Sequence, residues 1–160
     1  MLKALLRKSK KNQKGFTLIE LLAVIVILAI LAAIAIPAVM SIINHQNQKA
    51  TVQDALTIIN AAKLVVSDNN IGGTTTVEID SSTATQGSST VSSNGWSDYV
   101  KKSSGTLQMG AKVYYNPSDD TYTIQDSDLA GISAITGSTN GTGASAYTTY
   151  TETQLIDYNR

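Results

Sequence analysis

"KNQKGFTLIELLAVIVILAILAAIAIP", residues Lys11–Pro37, is the stretch on which the reading of this chain turns. Gly15 closes a basic segment, and a single acid, Glu20, stands just ahead of Leu21–Met40, twenty residues without a polar side chain. As a helix those residues span about 30 Å, the thickness of a bilayer's hydrocarbon core. A carboxylate at the mouth of such a span costs on the order of 2–4 kcal/mol if it lies deep and unpaired. Glu20 therefore needs a physical reason.

Working outward, the zero net charge of the 160 residues hides a segregation. Residues 1–15 hold Lys3, Arg7, Lys8, Lys10, Lys11 and Lys14 and no acid, while the remainder has six basic and twelve acidic residues. A basic block ahead of an apolar span stays in the cytoplasm, so whatever follows the span lies outside. The acidity of that exported part argues against a general phosphate-binding surface. Cysteine is absent, so the chain has no disulfide framework and no thiolate nucleophile. A single histidine, His45, is too few for a histidine-based metal site. About 90 residues remain for a folded head, which is small enough to lean on the helix that leads into it.

The order of basic leader, Gly15, Phe16-Thr17-Leu18-Ile19-Glu20 and apolar helix resembles the type III signal of bacterial type IV prepilins and pseudopilins. The match covers about residues 8–40 and includes Pro37. An ordinary secretory signal has a shorter apolar region and ends at small residues; here apolar sequence runs well past Ala32-Ala33. An uncleaved anchor is the plain alternative. The resemblance implies that a prepilin peptidase cuts the Gly15–Phe16 bond on the cytoplasmic side and that Phe16 becomes N-methylated. It further implies a single-pass membrane precursor that an assembly platform and its ATPase, with minor pilins, build into a surface homopolymer.

That reading gives Glu20 its reason. After cleavage Phe16 carries an α-amine, cationic near neutral pH because such groups titrate at about 7.7–8. Phe16 and Glu20 are four residues apart and share a helical face. The resemblance implies that the glutamate of an incoming subunit neutralises the N-terminal amine of a neighbour in the fibre. Each charge unpaired in apolar surroundings costs several kcal/mol, and docking in register relieves both.

Pro37 lacks an amide hydrogen and should kink or loosen the helix around Ala33–Pro37. Beyond it the helix turns amphipathic: Val52, Ala55, Leu56, Ile59, Ala62 and Val66 recur at three- and four-residue spacing. The pattern stops at Asp68-Asn69-Asn70, and Gly72-Gly73 ends it. One helix of about 80 Å is expected from Phe16 to about Asn69.

From Thr74 onward 30 of 87 residues are Ser or Thr, which signals a different kind of structure. Thr76–Ile79 alternates as a strand, and Asp80–Gly95 reads as a polar connector. Trp96–Lys102 suggests a short helical turn with Trp96, Tyr99 and Val100 inward. Lys112–Tyr115 and Thr121–Gln125 flank Asn116-Pro117-Ser118-Asp119-Asp120 as a β-hairpin. A third strand is expected within Ala146–Ile156, and Gly131–Ala146 reads as loop. The expected fold class is α+β, a long N-terminal helix packed against a small antiparallel sheet. Its parts are a removed leader (1–15), the helix (16–70, its first half transmembrane or fibre core) and a Ser/Thr-rich head (71–160). Many related pilins of diderm bacteria close a C-terminal loop with a disulfide; this chain cannot, which suggests a Gram-positive source or a pseudopilin.

Catalytic patterns are missing: no Gly-rich phosphate loop, HExxH or GxSxG occurs, and His45, the only base for a triad, sits in the stalk. No enzyme activity and no cofactor are expected. Asp119, Asp120, Asp126 and Asp128 are weak candidates for a Ca²⁺ site, since oxygen ligands on a loop suit that ion, though aspartates are also common turn residues. Lys101-Lys102 beside Trp96 and Tyr99 are weak candidates for DNA contact, and Asn140-Gly141-Thr142 for glycosylation. The reading is a structural subunit of a type IV pilus. The alternatives are a pseudopilin of a competence or secretion apparatus and a membrane-anchored binding module that does not polymerise. Adhesion to a host surface, motility or DNA uptake would be properties of the assembled fibre.

Overall fold

A computed structural model of the protein describes residues 17–100, 110–140 and 147–160. The chain divides into two units after Ile43. Helix α1 covers Leu18–Asp68, with Pro37 inside it. In the first unit its residues are all exposed, apolar ones included. This is what a helix apolar all round looks like without its surroundings.

In the second unit α1 presents one buried face: Val52, Ala55, Ile58, Ile59, Ala61, Ala62, Val65 and Val66. Five of the six apolar positions expected at helical spacing are among them, and Leu56 packs at the rim. The helix stops where the asparagines stand. Asn70 adopts φ +48°, and the Ile71 and Asn70 amides donate back to Val66 O (3.0 Å) and Ser67 O (3.4 Å). That double closure is a Schellman cap, with Asn supplying the left-handed residue. Ile71 then packs against the core.

Seven antiparallel strands form the sheet: β1 (Val77–Ile79), β2 (Ala84–Gln86), β3 (Ser89–Ser92), β4 (Lys112–Asn116), β5 (Thr121–Gln125), β6 (Ser138–Asn140) and β7 (Tyr147–Thr151), in the order β3-β2-β1-β4-β5-β7-β6. The class is α+β, as expected. The β4–β5 hairpin pairs Lys112 with Gln125 through Asn116 with Thr121, and β1 and β7 fall on segments read as strands. Val77, Ile79, Val113, Tyr115, Tyr122, Ile124 and Tyr150 bury themselves on the core side, at alternate positions along their strands.

Two segments differ from expectation. Asp80–Gly95 is not a connector: it holds the β2–β3 hairpin, which turns at Gly87 with φ +62°. Only Ala84 and Ser92 of these strands are buried, so no apolar alternation marks them. The segment after Leu129 is not all loop: β6 pairs with β7, from Ser138 opposite Thr149 to Asn140 opposite Tyr147. The rest of that expected loop, 141–146, lies outside the described residues.

The C-terminus carries an element the sequence reading missed, helix α2 (Glu152–Asn159). Thr151 starts it with a capping box, accepting from the Gln154 amide while the Gln154 side chain accepts from the Thr151 amide (2.8 Å). Along α2, Glu152 receives Lys63 Nζ at 2.6 Å, Tyr158 donates to Gln48 (2.9 Å) and Asn159 to Gln53 (3.0 Å). These contacts tie α2 to the amphipathic half of α1, and Leu155 is fully buried. This clasp holds the C-terminus of a chain that has no disulfide to do so.

Candidate functional site

The site is the start of α1. Thr17 stands just before the helix, and the Glu20 amide donates to its hydroxyl (3.3 Å) and its carbonyl (3.0 Å). Thr17 thus satisfies an amide that would otherwise lack a partner at the helix start. Glu20 occupies the first turn, where a negative charge also meets the positive end of the helix dipole. Gly15 and Phe16, the expected cleavage pair, lie outside the described residues. Downstream of Glu20 the apolar side chains have no cover, with Leu22, Ile25, Leu28 and Leu31 each more than half exposed. Among the described residues α1 is the one helix long and apolar enough to cross a membrane, judged by length and composition.

The other candidate residues fall elsewhere. Asp119 and Asp120 sit in the β4–β5 turn, where Asp119 accepts from the Thr121 hydroxyl (2.6 Å) and Asp120 takes φ +53°. Asp126 and Asp128 lie beyond the far end of β5, five residues or about 17 Å of strand away. The four aspartates therefore do not converge, and among the described residues no three acid, histidine or cysteine side chains gather as metal ligands. Sequence proximity around a hairpin is misleading here because a strand separates its two ends.

Asp126 is instead a buried structural carboxylate. Burial pushes its carboxyl up and the Asp128 amide (2.8 Å) opposes the rise, while the charges of Asp128 and Asp54 add to it. Burial raises Asp54 on α1 as well. Asp80 moves the other way: desolvation alone would raise it, but four hydrogen bonds from Ser82 and Thr83 bring it below the usual carboxylate range.

Trp96 is 1% exposed, and its Nε1 donates to Ala111 O (3.1 Å). It belongs to the core and offers no stacking platform to a nucleic acid; Lys101 and Lys102 lie outside the described residues. Tyr99 donates to Asp68 Oδ2 (2.6 Å). The ring of His45 lies 6.4 Å from that of Tyr158, a stalk contact and not a ligand site. Asn140 ends β6, and the remainder of its triplet is among the residues not described.

The head covers one half of the helix and leaves the other bare, and that apolar N-terminal half is consistent with a membrane-anchored precursor. Residues 10–36 match the family model for the prokaryotic N-terminal methylation motif, the type IV prepilin-type signal. The chain is thus type IV pilin-like, and the motif points to a structural protein rather than an enzyme. No curated protein and no solved structure matches the chain.

Proposed function

We propose that the protein is the shaft-forming subunit of a type IV pilus. The observation that carries this is a coincidence of position: the methylation motif, residues 10–36, overlaps the half of α1 whose apolar surface is uncovered. Prepilin peptidase removes residues 1–15, Phe16 is methylated, and the bare helix passes from the bilayer into the core of a homopolymer. Burying that helix among copies of itself replaces one apolar environment with another, so the register must come from polar contacts and packing. Glu20 supplies it by meeting the Phe16 amine of a neighbour. Pro37, with no amide hydrogen to donate, is the point at which helical hydrogen bonding gives way during assembly. The assembly platform, its ATPase and minor pilins are the partners this route requires.

Intact-mass measurement of the membrane and sheared-surface fractions tests the reading. The expected product begins at methylated Phe16 and appears in filaments under the electron microscope. A chain that still begins at Met1 in cells containing the peptidase, with no filaments, contradicts it.

A further inference from the structure

The sheet has a second face, turned away from α1. There β5 carries the small side chains of Thr121 and Thr123, while its neighbours carry Tyr114 on β4 and Tyr147 on β7. The two rings reach across β5 and stack, centroids 5.5 Å apart and planes within 17°. The Tyr114 hydroxyl donates to Gln125 Oε1 at 3.0 Å, which fixes its ring. Beside the pair opens a cleft of about 320 Å³. Small-molecule sites run from about 300 to 1,000 Å³, so this one suits a single small ring.

Three properties narrow its occupant. Among the described residues no charged side chain lines the cleft, and on the same face Glu78 and Lys112 neutralise each other at 2.6 Å. A carboxylate or phosphate would therefore be desolvated without a counter-ion. The hydroxyls of Thr76, Thr123 and Ser138, all on the lining, have no side-chain hydrogen bond among the described residues, so each keeps both a donor and an acceptor. Asn116 adds an amide. Finally, stacked tyrosines offer a rigid amphipathic surface at small entropic cost, because each has few rotatable bonds.

A pyranose has the matching chemistry. It is neutral, its hydroxyls both donate and accept, and its C–H face is apolar. We propose that the cleft beside Tyr114 and Tyr147, floored by Thr123, binds a neutral saccharide ring. Beyond a structural role in a fibre, this gives the head a recognition function of its own, which does not depend on how the helix assembles.

The test is an NMR titration of the isotope-labelled full chain in a zwitterionic, sugar-free detergent. Glucose, galactose and N-acetylglucosamine serve as probes, with glycerol and glucuronic acid as controls. The expected result is saturable shifts at Tyr114, Thr123, Ser138 and Tyr147 with at least one neutral sugar, at a Kd on the order of millimolar. Thr123→Val keeps the shape and suits a strand but lacks the hydroxyl; it should weaken binding by roughly fivefold or more. Tyr114→Phe keeps the ring and should bind within about threefold of wild type, while Tyr114→Ala should lose binding. If Tyr114→Ala fails to fold, Thr123→Val decides. The proposal is overturned if no neutral sugar gives saturable shifts up to about 100 mM, if glycerol or glucuronic acid binds as well, or if Thr123→Val binds unchanged.

Discussion

Between Leu18 and Ile43 every large apolar side chain of α1 is exposed, from 47% at Ile43 to 90% at Leu18. Between Val52 and Val66 the same helix buries eight residues, most of them completely. The leading half is apolar all round and the trailing half on one face only, and the two differ also in the partner available to them. The trailing half meets a sheet and α2 built from its own chain. Among the described residues the leading half has nothing comparable, which is consistent with a membrane-anchored precursor. An exposed apolar surface of this extent marks an interaction site.

The contrast makes a prediction large enough to break it. Ile59→Ala, in the clothed half, should cost the head about 2–5 kcal/mol, through lost burial and the cavity left behind. Ile27→Ala, in the bare half, should leave head stability within about 0.5 kcal/mol. Denaturant unfolding of the full chain in detergent, followed by the fluorescence of the single tryptophan, Trp96, separates them. Equal losses would mean that the two halves are not energetically distinct.

Next in size is Gly95→Ala. Its backbone is extended (φ −99°), so the constraint is space and not conformation. A Cβ there would land on the backbone of Ser81 and Ser82, which the following residues grip through Trp96 N to Asp80 O (3.1 Å) and Ser97 N to Ser81 O (3.3 Å). The expected loss is about 1–3 kcal/mol, as for other overpacked sites, read by the same unfolding curve.

Much of this contrast was legible in the sequence, for reasons that differ between regions. The helix announced itself through an unbroken apolar run and then through three- and four-residue spacing, because burial on one face imposes that period. The β4–β5 hairpin was legible because Val113, Tyr115, Tyr122 and Ile124 alternate with polar residues around turn formers. Strands β2, β3 and β6 were not, since they lie toward the sheet's edges, built largely from Ser and Thr with little core to cover. Helix α2 left a signal that went unread: Thr151-Glu152-Thr153-Gln154 ahead of Leu155 has the spacing of a capping box. The motif around Glu20 stood in the sequence, whereas the Tyr114–Tyr147 cleft depends on strand order, which local pattern does not carry.

Smaller effects sharpen the clasp and the interior charges. Thr151→Ala removes the cap of α2 and should cost about 1 kcal/mol. Lys63→Met should cost less, at most about 1 kcal/mol, because the Lys63–Glu152 pair is partly exposed (37% and 30%). Asp126→Asn works through pH. The folded state raises the Asp126 carboxyl above its ordinary 3.8, chiefly by burial, and so holds its proton to higher pH than the unfolded chain. That contribution is fully present below the unfolded value and is lost as pH rises through the folded one. Asparagine keeps an acceptor for the Asp128 amide without the charge. The variant should therefore melt higher than wild type at pH 7, with the gap closing near pH 4; a gap of the opposite sign would contradict the assignment.

The bare half of α1 has its most direct test at Glu20, where two roles coincide. Glu20 stands at the third helical position behind Thr17, as in a capping box, and it carries the only acidic charge of the first unit. Glu20→Gln retains a side chain able to cap but removes the charge, whereas Glu20→Ala removes both. The measurement is the ratio of sheared fibre to membrane-bound mature subunit for wild type and the two variants, with cleavage after Gly15 monitored by mass. If the charge sets the register of assembly, both variants are cleaved and accumulate in the membrane, and both ratios fall at least about tenfold, since an amine left buried without its partner costs several kcal/mol. A Glu20→Gln ratio equal to that of wild type would show that the carboxylate serves the helix and not the fibre.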